Sequence, residues 1–227
     1  DRHLAWCKEH GITTEFNFLS GFPPAWLKSK PEAEQSRRLL QHAQEVVDRY
    51  ADRVTFWQLS DQGVFLNQAT NLVSALRVKH PQLKFGLSDA ARFFTTAEPA
   101  RRNADLMRGL DDLQRLKQQG IALDFASLHG HQPWGLWADP KVIYEVLDAF
   151  AKEGVRIHIS QFAVPSEGLI VGAAPQGRWD PKLQAEYGRL FYTICYSHPA
   201  GDVINQAELG PVTRWPGGGL LEADGKA

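Results

Sequence analysis

Short runs of β-branched and aromatic residues alternate with longer stretches of helical periodicity along the whole chain, and this alternation restricts the fold more than any other feature. It is the pattern of repeated βα units around a parallel sheet. The expected strands are Gly11–Phe18, Val54–Leu59, Leu83–Ser88, Leu123–Leu128, Val155–Ser160 and Asp202–Gln206. Helical spacing is clearest from Glu32 to Tyr50, where Leu39, Leu40, Ala43, Val46, Val47 and Tyr50 form one apolar stripe. Further stripes follow: Leu72, Val73 and Leu76; Met107, Leu110, Leu113 and Leu116; Val142, Ile143, Val146, Leu147 and Phe150; and Leu183, Tyr187, Leu190, Phe191 and Ile194. Gly120 and Gly154 stand where helices should end before a strand, and His80-Pro81 and His198-Pro199 close two others.

With 227 residues, 43% of them apolar and 22% charged, the chain can bury a sizeable core as one domain over residues 1–227. A net charge of −1 gives no footprint for nucleic acid or an anionic membrane. No apolar run is long enough to span a bilayer, and Asp1-Arg-His-Leu-Ala-Trp-Cys7 has no signal-peptide pattern. The expectation is a soluble or already processed protein. Two cysteines, Cys7 and Cys195, show no metal or redox spacing and are expected to be buried thiols on helices. Trp26, Trp57, Trp134, Trp137, Trp179 and Trp215 are expected in loops or at strand ends, where an indole can stack on a sugar ring. The turn-rich stretch Pro165–Pro181 reads as a long loop after a strand, a place where barrel enzymes put substrate contacts.

In a βα barrel the carboxyl ends of the strands face the active site, so the motifs there are read in turn. They are Leu19-Ser20-Gly21-Phe22-Pro23-Pro24-Ala25-Trp26, Trp57-Gln58-Leu59-Ser60-Asp61-Gln62, Leu87-Ser88-Asp89, Leu128-His129-Gly130-His131, Val155-Arg156-Ile157-His158-Ile159-Ser160-Gln161-Phe162-Ala163, and Val203-Ile204-Asn205-Gln206-Ala207-Glu208. Asp61 alone reads as a helix N-cap or turn residue, and Asp89 as an Asx turn. His129 and His131, two apart, share a face of an extended segment, but no third ligand follows at a suggestive spacing, so no metal centre is expected.

In order and spacing, these motifs resemble glycoside hydrolase family 10, the endo-β-1,4-xylanases. The resemblance implies a TIM-type (β/α)8 barrel with about six of its eight βα units present here. It places Gln62 at the acid/base position and Gln161 at the nucleophile position, and it implies that Trp26, Asp61, Asp89, His129, His131, Gln206, Glu208 and Trp215 contact substrate. Departures are numerous. Leu19 and Ser20 replace a tryptophan-histidine pair, and Asp61-Gln62 reverses an Asn-Glu pair in chemical type. Ala163 replaces a second carboxylate after the nucleophile position.

A retaining glycosidase needs a carboxylic acid and a carboxylate roughly 5–5.5 Å apart. Glutamine copies the shape of glutamate, but it neither gives up a proton at neutral pH nor attacks as an anion. The chain as written is therefore expected to be inactive. Three readings stay open: an active retaining endo-xylanase seen as a modified fragment, a non-catalytic carbohydrate-binding protein, or a structural remnant of the fold. The implied partner is a β-linked polysaccharide or oligosaccharide, without cofactor, nucleic acid or membrane. A second chain or an N-terminal segment is expected to complete the barrel, since uncovered sheet edges recruit partners. If the chain follows the family, it is secreted or periplasmic.

Overall fold

The computed structural model describes residues 1–17, 24–59, 66–91, 99–131, 135–171, 177–207, 209–210 and 218–221, with the backbone alone at 66–70, 89–91, 99–102 and 131. Each expected strand is present. They are β1 (Glu15–Asn17), β2 (Phe56–Leu59), β3 (Lys84–Ala91), β4 (Phe125–His131), β5 (Arg156–Ala163) and β6 (Gly201–Gln206). The helices are α1 (Arg2–Glu9), α2 (Ala25–Lys28), α3 (Glu32–Tyr50), α4 (Leu66–Lys79), α5 (Pro99–Gln118), α6 (Pro140–Lys152) and α7 (Pro181–Ser197). The strands are hydrogen-bonded in chain order, β1-β2-β3-β4-β5-β6, the order of successive units in a TIM-type barrel. No helix among the described residues is long and apolar enough to cross a membrane.

The chain divides into two compact units, one of Asp1–Ser88 with Asp112–Phe125 and the other of Asp89–Asp111 with Ala126–Ala227. In the first unit β1, β2 and β3 pair in parallel, with Phe16 opposite Trp57 opposite Phe85 and Asn17 opposite Gln58 opposite Gly86. Alternation along each strand therefore sorts the side chains into two faces. Trp57, Leu59, Phe85 and Leu87 share one face and are fully buried. At about 1.5–3 kcal/mol for burying a large apolar side chain, this layer carries much of the unit's stability. On the opposite face Phe56 meets Phe125 edge-on at 5.6 Å. Gly86 makes room there, since a Cβ on it would lie 2.4 Å from the Phe125 ring. Asp124 holds the start of β4 to β3: its carboxylate accepts from the Phe85 N–H at 2.9 Å and from Arg77 at 2.9 Å.

α3 spans Glu32–Tyr50 as expected, with Glu32 and Glu34 at its positive end and Arg49 at its negative end. Only Ala43 and Val47 of its expected stripe are fully buried, along with Ser36. Gly120 adopts φ +84°, the left-handed conformation that suits a glycine closing a helix.

In the second unit α6 starts at Asp139, whose carboxylate accepts from the Lys141 N–H at 2.8 Å, with Pro140 as the first helical residue. α7 repeats the device with Asp180, Leu183 at 2.7 Å and Pro181. Ile143, Val146, Leu147 and Phe150 of α6, and Tyr187, Phe191, Ile194 and Cys195 of α7, are buried. β5 is buried along most of its length, as a strand covered on both faces should be. Gly154 takes φ +84° just before it.

Three expectations need correction. Trp57 is not a strand-end indole open to a ligand: it is 0% exposed, and its indole N–H donates to the Val54 carbonyl at 3.2 Å. Cys7 is half-buried, because no residue of α1 is fully buried. Met107 is 55% exposed, so the buried stripe of α5 narrows to Leu113 and Leu116.

Candidate functional site

In the second unit the site residues are set out by β4, β5 and β6. Along β5, Ile159 pairs with Ile204 and Phe162 with Gln206, so three steps of β5 match two of β6. The extra residue is a β-bulge at Ser160–Gln161, a device that re-aims side chains. Its consequence is visible in the packing. Phe162 stacks on Phe191 of α7 at 4.6 Å, and Ile159 and Phe191 both crowd the space over Gly130. Without the bulge Ile159 and Phe162 would point to opposite faces. With it both turn toward α7, and Ser160 and Gln161 remain half-buried between two buried neighbours.

The next strand supports this geometry. A Cβ on Gly130 would lie 2.7 Å from Ile159 and 3.3 Å from the Phe191 ring, so glycine is required for β4 to lie this close. His129 precedes it and is half-buried, with interactions of its own. The Ser160 hydroxyl donates to the Leu128 carbonyl at 3.4 Å, joining the end of β4 to the bulge. On the far side the Ala207 N–H donates to the Phe162 carbonyl at 2.8 Å, which carries the pairing past Gln206, itself half-buried. His129, Gln161 and Gln206 thus stand on three adjacent strands. Tyr192 of α7 meets Phe162 edge-on at 5.1 Å, and burial raises its phenol above the usual range.

Among the described residues no group of three or more histidine, cysteine, aspartate or glutamate side chains is placed to hold a metal ion. Asp61, Gln62, Glu208, Trp134 and Trp215 lie outside the described residues. For Asp89 and His131 the structure describes only their place, in β3 and as the last residue of β4.

In the first unit, Trp26 lies on the short α2 and is 56% exposed, with the Arg38 guanidinium 5.7 Å from its ring centre. The sequence reading missed a polar group on the face opposite Trp57. There Gln58 donates to the Glu15 carboxylate, and the Asn17 amide donates to the Ser88 hydroxyl at 2.9 Å. Glu15 and Asn17 are two apart in a strand, which puts them on one face, and that spacing was the available signal.

No family model matches the chain. A β-1,4-xylanase of Dictyoglomus thermophilum is 23% identical over 159 residues, which is 62% of this chain. That match spans 42% of the curated relative's length. Among solved structures, a family 10 endoxylanase retrieved from a sugarcane soil metagenome matches with a TM-score of 0.76 at 12% identity, covering 100% of this chain and 78% of that one. The chain has the fold of glycoside hydrolase family 10. The family 10 protein of Paenibacillus barcinonensis agrees, with a TM-score of 0.76 at 16% identity and coverage of 100% and 77%. Identity this low speaks for the family 10 fold alone. Within that fold, the ends of β4, β5 and β6 carry His129, Gln161 and Gln206.

Proposed function

We propose that this chain is a family 10 scaffold that holds a β-1,4-linked xylan or related oligosaccharide at the carboxyl ends of its strands without hydrolysing it. Gln161 carries the reading. It lies in β5, the strand whose sequence matches the nucleophile motif best, and it sits half-buried at a bulge with an amide where attack on the anomeric carbon needs a carboxylate. Gln62 takes the acid/base position in the same reading, so proton donation to the leaving oxygen is lost too. Losing either group costs several orders of magnitude in rate. Both amides keep hydrogen-bonding capacity for sugar hydroxyls. Trp26, Asp61, Asp89, His129, His131, Gln206, Glu208 and Trp215 complete the proposed contacts, and residues 1–227 act as one partial barrel domain that a preceding segment or second chain completes.

Two cheap measurements test this. Reducing-sugar release from xylan at neutral pH should stay at the no-protein level; release that tracks the purified protein and vanishes in Glu208→Gln contradicts the proposal. The Gln62→Glu, Gln161→Glu double variant then separates the two histories of the site. Recovered hydrolysis identifies a catalytic scaffold silenced at two positions, whereas continued silence with intact xylo-oligosaccharide binding identifies a binding protein.

A further inference from the structure

The loop after β4 and the loop after β5 are joined in the second unit. The Trp137 N–H donates to the Val171 carbonyl at 2.8 Å, and the Val171 N–H donates to the Gly135 carbonyl at 2.8 Å. A parallel bridge links Leu136 to Val171. The β5 loop is closed on itself by Trp179 N–H to Gly168 and Ile170 N–H to Gly177, at 2.8 and 3.0 Å. Gly135 makes the crossing possible: it has φ +71°, and a Cβ there would lie 2.3 Å from the Leu169 carbonyl oxygen.

This junction mounts one indole on another. Trp179 is 3% exposed, and its indole N–H donates to the Gly135 carbonyl at 2.9 Å. Trp137 stacks on it at 5.5 Å with 21° between the planes and meets Tyr187 at 4.9 Å. The Tyr187 hydroxyl accepts from the Ala138 N–H at 3.3 Å, so the backbone beside Trp137 is held as well. Leu136 and Ala138 on either side are buried, while Trp137 keeps part of its surface open. Val171 and Leu169 of the joined loop are 40% and 65% exposed. A loop tied this firmly holds these apolar side chains open to solvent in a fixed arrangement.

We propose that Trp137 is a stacking platform for one pyranose ring of a β-linked oligosaccharide, with Leu169 and Val171 as its apolar rim. The inference rests on the reading of the strand ends as a sugar site, and it adds a residue that the motifs do not assign. Residues 135–138 and 168–171 carry no ionisable side chain themselves, and the exposed Arg178 bridged to Leu169 adds a hydrogen-bond donor beside the apolar rim, a pairing that suits a sugar's C–H face and hydroxyls. A ring whose orientation is already fixed binds without a further ordering cost.

The test is calorimetric titration of xylohexaose into the unmodified chain, Trp137→Ala and Trp137→Phe, with fluorescence recorded on the first and last. Trp137→Ala is expected to weaken binding by about fivefold or more, and Trp137→Phe by no more than about twofold. The ligand-induced fluorescence change of the unmodified chain should be measurably smaller in Trp137→Phe, the remainder coming from the other indoles at the sugar site. If the alanine variant does not fold, that fluorescence difference decides. Undiminished affinity in Trp137→Ala, or an undiminished fluorescence change in Trp137→Phe, overturns the platform and leaves the sugar site standing. Absence of binding by the unmodified chain overturns both.

Discussion

Cys195 is 3% exposed on α7, and burial pushes its thiol from 9.0 up to about 12. The folded state therefore holds this proton more tightly than the unfolded state does. The resulting stability is fully present below the unfolded value near 9.0 and is lost as pH rises toward about 12. Thermal midpoints measured across that alkaline window should fall, and Cys195→Ala should flatten the fall while lowering stability at neutral pH by cavity formation. In the native state a thiol reagent at neutral pH should label the half-buried Cys7 and spare Cys195; equal labelling would contradict the burial. These outcomes show where residue-level reading of sequence stops. Spacing alone cannot tell a strand-end indole from a core one: Trp57 and Gln58 alternate between the two faces, and packing buries both, Gln58 at 6% exposed. Gln161 is legible in the sequence as an amide that the resemblance sets at the nucleophile position, but the bulge that keeps it from following strict alternation is not, because strand pairing shifts leave no local signature.

At the scale of elements, the 3.6 and 2.0 periodicities place all six strands and the α3, α6 and α7 helices, since each element buries its apolar face against a neighbour. Strand ends drift by a few residues: β3 and β5 continue past Ser88 and Ser160 to Ala91 and Ala163. In β5 the extra length carries the pairing on to Phe162 opposite Gln206. Gly86 is the element-level point most exposed to test. Gly86→Ala drives a Cβ into the Phe125 ring at 2.4 Å, and overpacking of that kind costs about 1–3 kcal/mol. Chemical denaturation should show a lower midpoint with little change in slope, and pairing the change with Phe125→Leu should restore part of the loss. An unchanged midpoint for Gly86→Ala would mean that the ring is free to move aside.

For the whole molecule, the sequence yields the fold through repetition: six strands in chain order, with helices in all five described connections between them, match a family 10 arrangement at 12–16% identity. Hydrolysis is less redundant than fold: a retaining glycosidase needs two carboxylates, and in the proposed function an amide stands in place of each. The proposed function combines retained binding with lost hydrolysis. A single calorimetric titration of xylohexaose reads both. A binding protein without hydrolytic activity gives saturable heats that return to baseline after every injection, with intact xylohexaose recovered from the cell. Sustained heat after each injection, accompanied by shorter oligosaccharides, would contradict the proposed function, and so would a featureless titration.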